Sequence, residues 1–334
     1  MSERWLLTII IIAVLLVSAG YWVATHVDLM PEQASTNAVL VDGLFRFLLG
    51  LATVIFLLVE GALLYAVFRF RRRLGDAAPV HGNNALQFVW SLIPAVIVVI
   101  VAYYSFRVLS AASQSAPDPL TVEVRARQFS CQFRYPESGV TTQELHLPVG
   151  RAVRLLISAD DVIHSFWVPQ FRVKQDATPG SVSELLVSPL RTGRFPIRCA
   201  ELCGPGHATM TAEVVVESPQ EFAVWLASQL APRATPSEPT AAGRELFNQY
   251  GCGACHTLAD GAARGAVGPS LDGVGTRAAQ RVPGLDARAY LEQSILDPNA
   301  YVVPGYPSGV MPQDFGQRLS ADVLRLLVDY LLSR

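Results

Sequence analysis

Cys199-Ala-Glu-Leu-Cys-Gly-Pro-Gly-His-Ala-Thr-Met210 sets two thiols, an imidazole and a thioether within twelve positions, directly after a strand-like segment. Soft donors at this density select copper over hard cations. A second imidazole, His164, stands in Asp161-Val-Ile-His-Ser-Phe-Trp-Val-Pro169, on a loop expected at the same end of one β-domain. The donor set is then His164, Cys199, Cys203, His207 and Met210. Copper electron-transfer sites hold such ligands on loops of a rigid β-scaffold, and a second thiolate lets two coppers share both sulfurs. Tetrahedral zinc competes, since Cys199, Cys203, His207 and His164 satisfy a closed Cys2His2 site. Zinc leaves Met210 without a role, so copper is preferred.

Around this stretch, from Leu120 to about Glu217, short alternating segments recur, among them Thr121-Val-Glu-Val-Arg125, Arg151-Ala-Val-Arg-Leu-Leu-Ile157 and Ala212-Glu-Val-Val-Val216. Separated by Pro/Gly turns, they predict a β-sandwich or barrel. Pro219 to Leu230 reads as a trailing helix, and Ala231-Pro-Arg-Ala-Thr-Pro-Ser-Glu-Pro-Thr240 as a Pro-rich linker.

After the linker comes Cys252-Gly-Ala-Cys-His256, the attachment pattern of a haem c, in which two thioethers hold the porphyrin and the adjacent histidine binds iron. Met311, in Gly309-Val-Met-Pro312, is the expected second axial ligand, because Met/His ligation suits electron transfer. A thioredoxin-like redox pair would need a βαβ context that is missing, and would not explain His256. Ser320 can cap a terminal helix whose Leu324, Leu327, Val328 and Leu331 share one face, so residues 241–334 predict a small all-α module.

Ahead of the β-domain lie three apolar runs, Trp5 to Ala24, Phe47 to Phe68 and Phe88 to Phe106, each near the roughly 20 residues a membrane-spanning helix needs. Arg69, Arg71, Arg72 and Arg73 follow the second run, which assigns that side to the cytoplasm and everything after Phe106 to the exported side. The first run is either a membrane helix or a signal peptide, given the small residues Ser18, Ala19 and Gly20. Glu60 sits inside the second run, where an ionisable group is costly, and Pro94 interrupts the third.

The totals agree with a membrane protein of several domains: 334 residues, charged residues at 16%, and a net charge of −2 that offers no basic footprint for nucleic acid. Of five cysteines, four fall in the two cofactor motifs; Cys131 is left over and reads as a small buried hydrophobe.

With these residues in view, the chain resembles subunit II of cytochrome c oxidase over roughly residues 28 to 227. The likeness rests on Cys199-Ala-Glu-Leu-Cys-Gly-x-x-His-x-x-Met210 with Asp161-Val-Ile-His-Ser-Phe166 upstream. It extends to Met30-Pro31, His81-Gly-Asn83, Trp90-Ser-Leu-Ile-Pro94, Gln128 with Phe133-Arg-Tyr-Pro136, and Val173-Lys-Gln-Asp-Ala-Thr-Pro-Gly180. Residues 241–334 resemble a class I cytochrome c, and the whole resembles oxidases with a cytochrome c fused to subunit II. The resemblance implies a dinuclear CuA centre bridged by Cys199 and Cys203, with His164 and His207 each on one copper, Met210 weakly bound, and the Glu201 carbonyl as a further ligand. It also implies that the Glu201 side chain can reach a magnesium ion at the subunit I boundary. Partners would be oxidase subunits I and III, a donor such as a cytochrome or another respiratory complex, and the lipid of a bacterial plasma membrane.

Two departures from the family pattern stand out. Where relatives carry Gln-Trp-x-Trp, this chain has Gln128-Phe129-Ser130-Cys131, so both indoles of the patch associated with docking a soluble cytochrome are absent. A tethered haem domain would offset that loss by effective concentration. Gln87 stands where many relatives have a glutamate associated with proton uptake, and an amide cannot ferry that proton.

The expected architecture is a multidomain membrane protein: residues 1–27 an N-terminal membrane helix or signal peptide, 28–110 a transmembrane helical hairpin, 111–230 a cupredoxin-like domain with a trailing helix, 231–240 a linker, and 241–334 a cytochrome c domain. Electrons would enter at haem c, pass to copper, and leave to a haem in subunit I, where oxygen is reduced with proton translocation. The alternatives are the copper subunit of a nitric oxide reductase, separated by the gas reduced, and a membrane-tethered copper-delivery protein, for which labile copper would be expected.

Overall fold

A computed structural model describes residues 3–71, 82–114, 117–230, 239–259, 263–265 and 267–334. Arg72 and Arg73 of the basic block, His81, and linker residues 231–238 lie outside the described residues. Two compact units form, residues 1–114 and 115–334.

The first unit contains helices α1 (Glu3–His26), α2 (Thr36–Phe70) and α3 (Asn84–Ala112), all long and apolar enough to cross a membrane. Large apolar side chains stand exposed around them, including Leu6, Ile10, Phe56, Leu63, Phe88 and Val98. A helix apolar on every face, with its backbone bonds closed within itself, is suited to lipid. Caps fix two starts: the Ser35 hydroxyl accepts from the Ala38 amide at 3.0 Å, and the Asn83 side chain accepts from the Leu86 amide at 3.1 Å.

Helix α2 begins well before the apolar run that marks it in the sequence. Its first turns bury Asn37 and Asp42, and Gln33 donates to the Asp42 carboxylate at 2.8 Å, so paired polar groups extend the helix past where hydropathy stops. Pro94 lies within a continuous α3. Where α1 crosses α2, a Cβ added at Gly20 would stand 2.7 Å from the Gly50 carbonyl oxygen. Small residues of this kind let helix backbones approach in a membrane. Glu60 is half-buried and Gln87 exposed.

The second unit opens with a two-sheet sandwich. Its strands are β1 (Leu120–Arg127), β2 (Ser130–Tyr135), β3 (Val140–Thr142), β4 (Leu145–Pro148), β5 (Val153–Ala159), β6 (His164–Val168), β7 (Val173–Ala177), β8 (Ser183–Val187), β9 (Gly193–Cys199) and β10 (Thr211–Glu217). One sheet runs β3-β2-β1-β5-β8, the other β4-β10-β9-β6-β7. Pairs β1–β5 and β4–β10 are parallel, the remaining pairs within the two sheets antiparallel.

The alternation read from the sequence is the cause of the layering. Val122 and Val124 on β1, Leu155 and Ile157 on β5, and Phe195 and Ile197 on β9 turn inward, while the residues between them are more exposed. Helix α4 (Pro219–Leu230) closes one end. Its Trp225 stacks on His146 with centroids 4.0 Å apart, and its Phe222 and Trp225 flank Tyr135. The Tyr135 hydroxyl donates to the His146 carbonyl and accepts from the His146 amide, both at 2.8 Å, which satisfies a buried phenol at the strand edge. This is the cupredoxin-like sandwich expected of the β-domain.

The C-terminal module comprises α5 (Pro239–Gln249), α6 (Val274–Arg277), α7 (Ala287–Leu296), α8 (Phe315–Arg318) and α9 (Ala321–Leu332), with a short ribbon pairing Thr257–Leu258 and Ala263–Arg264. The ribbon is an addition to the purely helical module read from the sequence. Phe247, Leu258, Tyr290, Leu291, Leu327 and Tyr330 form its core. Ser320 caps α9 by accepting from the Val323 amide, and Leu327, Val328 and Leu331 bury the face expected of them. Gly243 lets α5 and α9 cross closely: a Cβ there would meet the Leu326 carbonyl and would lie 2.5 Å from Tyr330 Cβ.

Candidate metal centre and haem crevice

Pairing of β9 with its antiparallel neighbours brings the sulfur and imidazole donors together. Cys199 ends β9 opposite Phe166 of β6, two residues beyond His164, which begins β6. Thr211 starts β10 opposite Arg198, so residues 200–210 form the loop of a β9–β10 hairpin. The Cys199 amide donates to the Met210 carbonyl at 3.2 Å and the Ala200 amide to the Ser165 carbonyl at 3.0 Å, pinning both ends of that loop.

The donor atoms then converge. Cys199 Sγ lies 3.7 Å from Cys203 Sγ, 3.8 Å from His164 Nδ1 and 3.3 Å from the Glu201 carbonyl oxygen. Cys203 Sγ lies 3.6 Å from His207 Nδ1 and 3.8 Å from Met210 Sδ. Ligand atoms of His164, Cys199 and Cys203 all fall within 4.8 Å of one another. His164, Cys203 and Met210 are buried, Cys199 and His207 half-buried, and the Glu201 side chain is exposed. The two sulfurs occupy the central positions, each touched by one imidazole. A zinc site needs no thioether, yet Met210 is 2% exposed with its sulfur turned to Cys203. The donor set therefore fits a thiolate-bridged copper pair.

Electrostatics follow the same geometry. Burial opposes ionisation of Cys199, but the His164 side chain and the Glu201 and Ser165 backbone outweigh it and bring its pKa down to about 6. Desolvation and the neighbouring Cys199 push Cys203 up to about 12. Burial disfavours the charged form of His164, but its bond to Asp161 prevails and raises it to about 9.

Asp161 is a positioning residue that sequence reading left without a role, although it stands three positions before His164. Its carboxylate sits 2.8 Å from His164 Nε2 and accepts from the amides of Val162 and Gln128, both at 2.7 Å. Holding Nε2 leaves Nδ1 toward the sulfurs. Asp161→Asn is expected to weaken copper binding about 10- to 100-fold while leaving the sandwich folded, as read by copper competition with a chelator and by far-ultraviolet circular dichroism.

Gln128 reaches the loop from the turn after β1: its side-chain amide donates to the Cys203 carbonyl at 2.6 Å. Phe129 lies beneath the loop, and Gly204 and Gly206 make room for it. Gly204 has φ of +129°, and a Cβ at Gly206 would stand 2.5 Å from the Phe129 ring.

The second candidate site is an apolar crevice in the C-terminal module, lined by Cys252, Cys255, His256, Leu271, Tyr301 and Met311 among others. The His256 Nδ1 lies 2.8 Å from the Pro269 carbonyl and donates to it, which leaves Nε2 free for iron. Gly268 lies against the imidazole, where a Cβ would come within 2.7 Å of Cε1. Burial pushes the Cys252 thiol up to about 12 and raises Cys255, so both stay neutral. Burial also lowers the His256 pKa, which favours a neutral ring. Two thiols, an imidazole of fixed tautomer and the Met311 thioether on one apolar crevice fit a haem. Cys131, partly buried on β2, is pushed up to about 12 by desolvation and by Cys199, consistent with an inert thiol.

Comparison with known proteins matches three stretches of the chain to described families. Residues 20–108 match the family "Cytochrome C oxidase subunit II, transmembrane domain", residues 128–218 the family "Cytochrome C oxidase subunit II, periplasmic domain", and residues 240–334 the family "Cytochrome c". Cytochrome c oxidase subunit 2 of Thermostichus vulcanus is 36% identical over 302 residues, covering 73% of this chain and 91% of that protein. Its counterpart in Synechocystis is 36% identical over 278 residues, covering 68% and 83%. The periplasmic domain of subunit II of cytochrome oxidase from Bradyrhizobium japonicum superposes with a TM-score of 0.33 at 30% identity, covering 34% of this chain and 96% of that structure. With sulfur and imidazole donors gathered at one end of its sandwich and a cytochrome c module after it, this chain belongs to the cytochrome c oxidase subunit II family and is a subunit of an oxidoreductase.

Proposed function

We propose that this chain is the electron-receiving subunit of a haem–copper terminal oxidase, taking electrons at the C-terminal haem and passing them through the dinuclear copper site to a haem in subunit I. Oxygen reduction and proton translocation then take place in the partner. The observation that carries this reading is the pairing of Cys199 and Cys203 sulfurs with one imidazole each and Met210 beside them. When bound, copper and haem supply reversible one-electron exchange; the protein supplies a fixed ligand shell and a dry, preformed crevice.

In this reading His164, Cys199, the Glu201 carbonyl, Cys203, His207 and Met210 hold the copper pair. Cys252 and Cys255 bind haem c covalently, with His256 and Met311 on its iron. The Glu201 side chain and Leu202 are exposed on the copper loop, Leu202 at 78%, a surface suited to subunit I, with magnesium at Glu201. Subunit III, an external cytochrome or respiratory complex as donor, and the bacterial plasma membrane with both cofactor domains on its exported side complete the assembly. The close Gly20–Gly50 crossing supports a retained α1 rather than a cleaved signal peptide.

Metal analysis and electron paramagnetic resonance of the purified full chain test this. About two coppers for each low-spin haem iron, with one unpaired electron delocalised over the copper pair, are expected. Zinc in place of copper, or haem that extracts into acid acetone, defeats the reading. Copper removed at once by a mild chelator favours a delivery protein, and a complex that reduces nitric oxide but not oxygen assigns the chain to a nitric oxide reductase.

A further inference from the structure

The turn joining β1 to β2 belongs to the copper domain, yet it reaches the haem crevice. Gln128 and Phe129 line that crevice together with Cys252, Cys255 and His256. Phe129 is only 6% exposed although it stands in a turn. One side of it is covered by Gly204 and Gly206 of the copper loop; on the other, a Cβ at Gly251 would meet the Phe129 backbone at 3.4 Å. Gly251 immediately precedes Cys252, so the segment that carries the haem attachment passes directly over this turn.

Further contacts hold that segment in place. Arg127 donates to the Gln249 carbonyl at 3.3 Å, and its guanidinium lies over the Tyr250 ring, 5.4 Å from the centroid. Thr209, in the copper loop, donates to the Ala254 carbonyl at 2.5 Å. These contacts, two from Arg127 and one from Thr209, tie residues 249–254 to the copper domain.

We infer that the haem crevice is a two-domain site, in which Phe129 and Gln128 of the copper domain form the wall that the cytochrome module lacks and thereby keep water from the haem. This rests on the proposal that residues 252–256 carry a haem. Ferric haem bears one more positive charge than ferrous haem, so water admitted at this wall stabilises the oxidised form and lowers the midpoint potential. The missing indoles then have a different meaning from that drawn from the sequence: the position of the first holds a phenylalanine whose ring packs under the copper loop and whose backbone is covered by Gly251 of the chain's own haem module.

The full chain carrying both cofactors is the material for the test. Phe129→Ala is expected to lower the haem midpoint potential, read by spectroelectrochemistry of the α band, while Phe129→Leu restores most of it. Arg127→Ala touches neither the copper donors nor the crevice wall. It is expected to shift the potential the same way by a smaller amount and to raise amide hydrogen exchange at residues 249–254 about tenfold. Unchanged potentials in both alanine variants, with copper resonance and haem absorbance intact, overturn the two-domain site and leave the electron-transfer reading standing. A wild-type chain without covalent haem overturns both, and is recognised before any variant is made.

Discussion

Replacing Cys203 by serine is expected to abolish the delocalised copper signal and to cut electron delivery to the partner subunit by at least about a thousandfold. The sulfur of Cys203 has three donor neighbours: Cys199 Sγ at 3.7 Å, His207 Nδ1 at 3.6 Å and Met210 Sδ at 3.8 Å. A hydroxyl is shorter and harder, and at neutral pH it does not ionise, so it can neither bridge two soft ions nor balance their charge. Cys203 is also buried, its carbonyl held by the Gln128 amide, so the backbone will not shift to bring a replacement closer. Met210 gives the contrast. Its sulfur lies against a single donor, and in the proposed centre its loss would remove a weak ligand and leave both thiolates in place. Copper content, paramagnetic resonance and stopped-flow reduction of the assembled oxidase are the measurements. A Cys203→Ser chain that keeps two coppers with a delocalised electron would show that the bridge is not where the sulfurs meet.

Much of this architecture is legible along the chain because it is local. The strand alternation of β1 and β5, the Ser320 cap, the apolar face of α9 and the density of donors in residues 199–210 are all properties of neighbouring residues. The extent of α2 is less so, since its first turns are held by Gln33 and Asp42 pairing rather than by hydropathy. What escapes a linear reading is contact between distant segments. Gln128 reaches Cys203, Thr209 reaches Ala254, and Arg127 reaches Gln249 and Tyr250, each across many tens of residues and each through a side chain with no distinctive spacing. Asp161 lies between these cases. It stands near His164 in sequence, but its role shows only when its carboxylate is seen to hold both that ring and the Gln128 amide.

Substituting His256 by alanine is expected to leave a chain that binds copper normally but delivers electrons from an external carrier on the order of a hundredfold more slowly, or not at all. The imidazole is fixed twice, by its bond to the Pro269 carbonyl at 2.8 Å and by the bare Cα of Gly268 against its face, so its Nε2 has a single direction. Alanine removes the proposed iron ligand and also leaves the half-buried Pro269 carbonyl without its donor, at a cost toward the lower end of about 1–3 kcal/mol. The vacated ring volume adds to that loss, so the C-terminal module should melt earlier than the sandwich, whose core is separate from the one built on Phe247, Tyr290 and Tyr330. Two-wavelength melting distinguishes the modules, with the Soret band following the haem domain and the copper absorbance following the β-domain. Equal losses of both signals would mean that the imidazole supports the whole unit rather than the iron; selective loss of the Soret signal and of external reduction, with copper still reducible by a small mediator, assigns His256 to the haem alone.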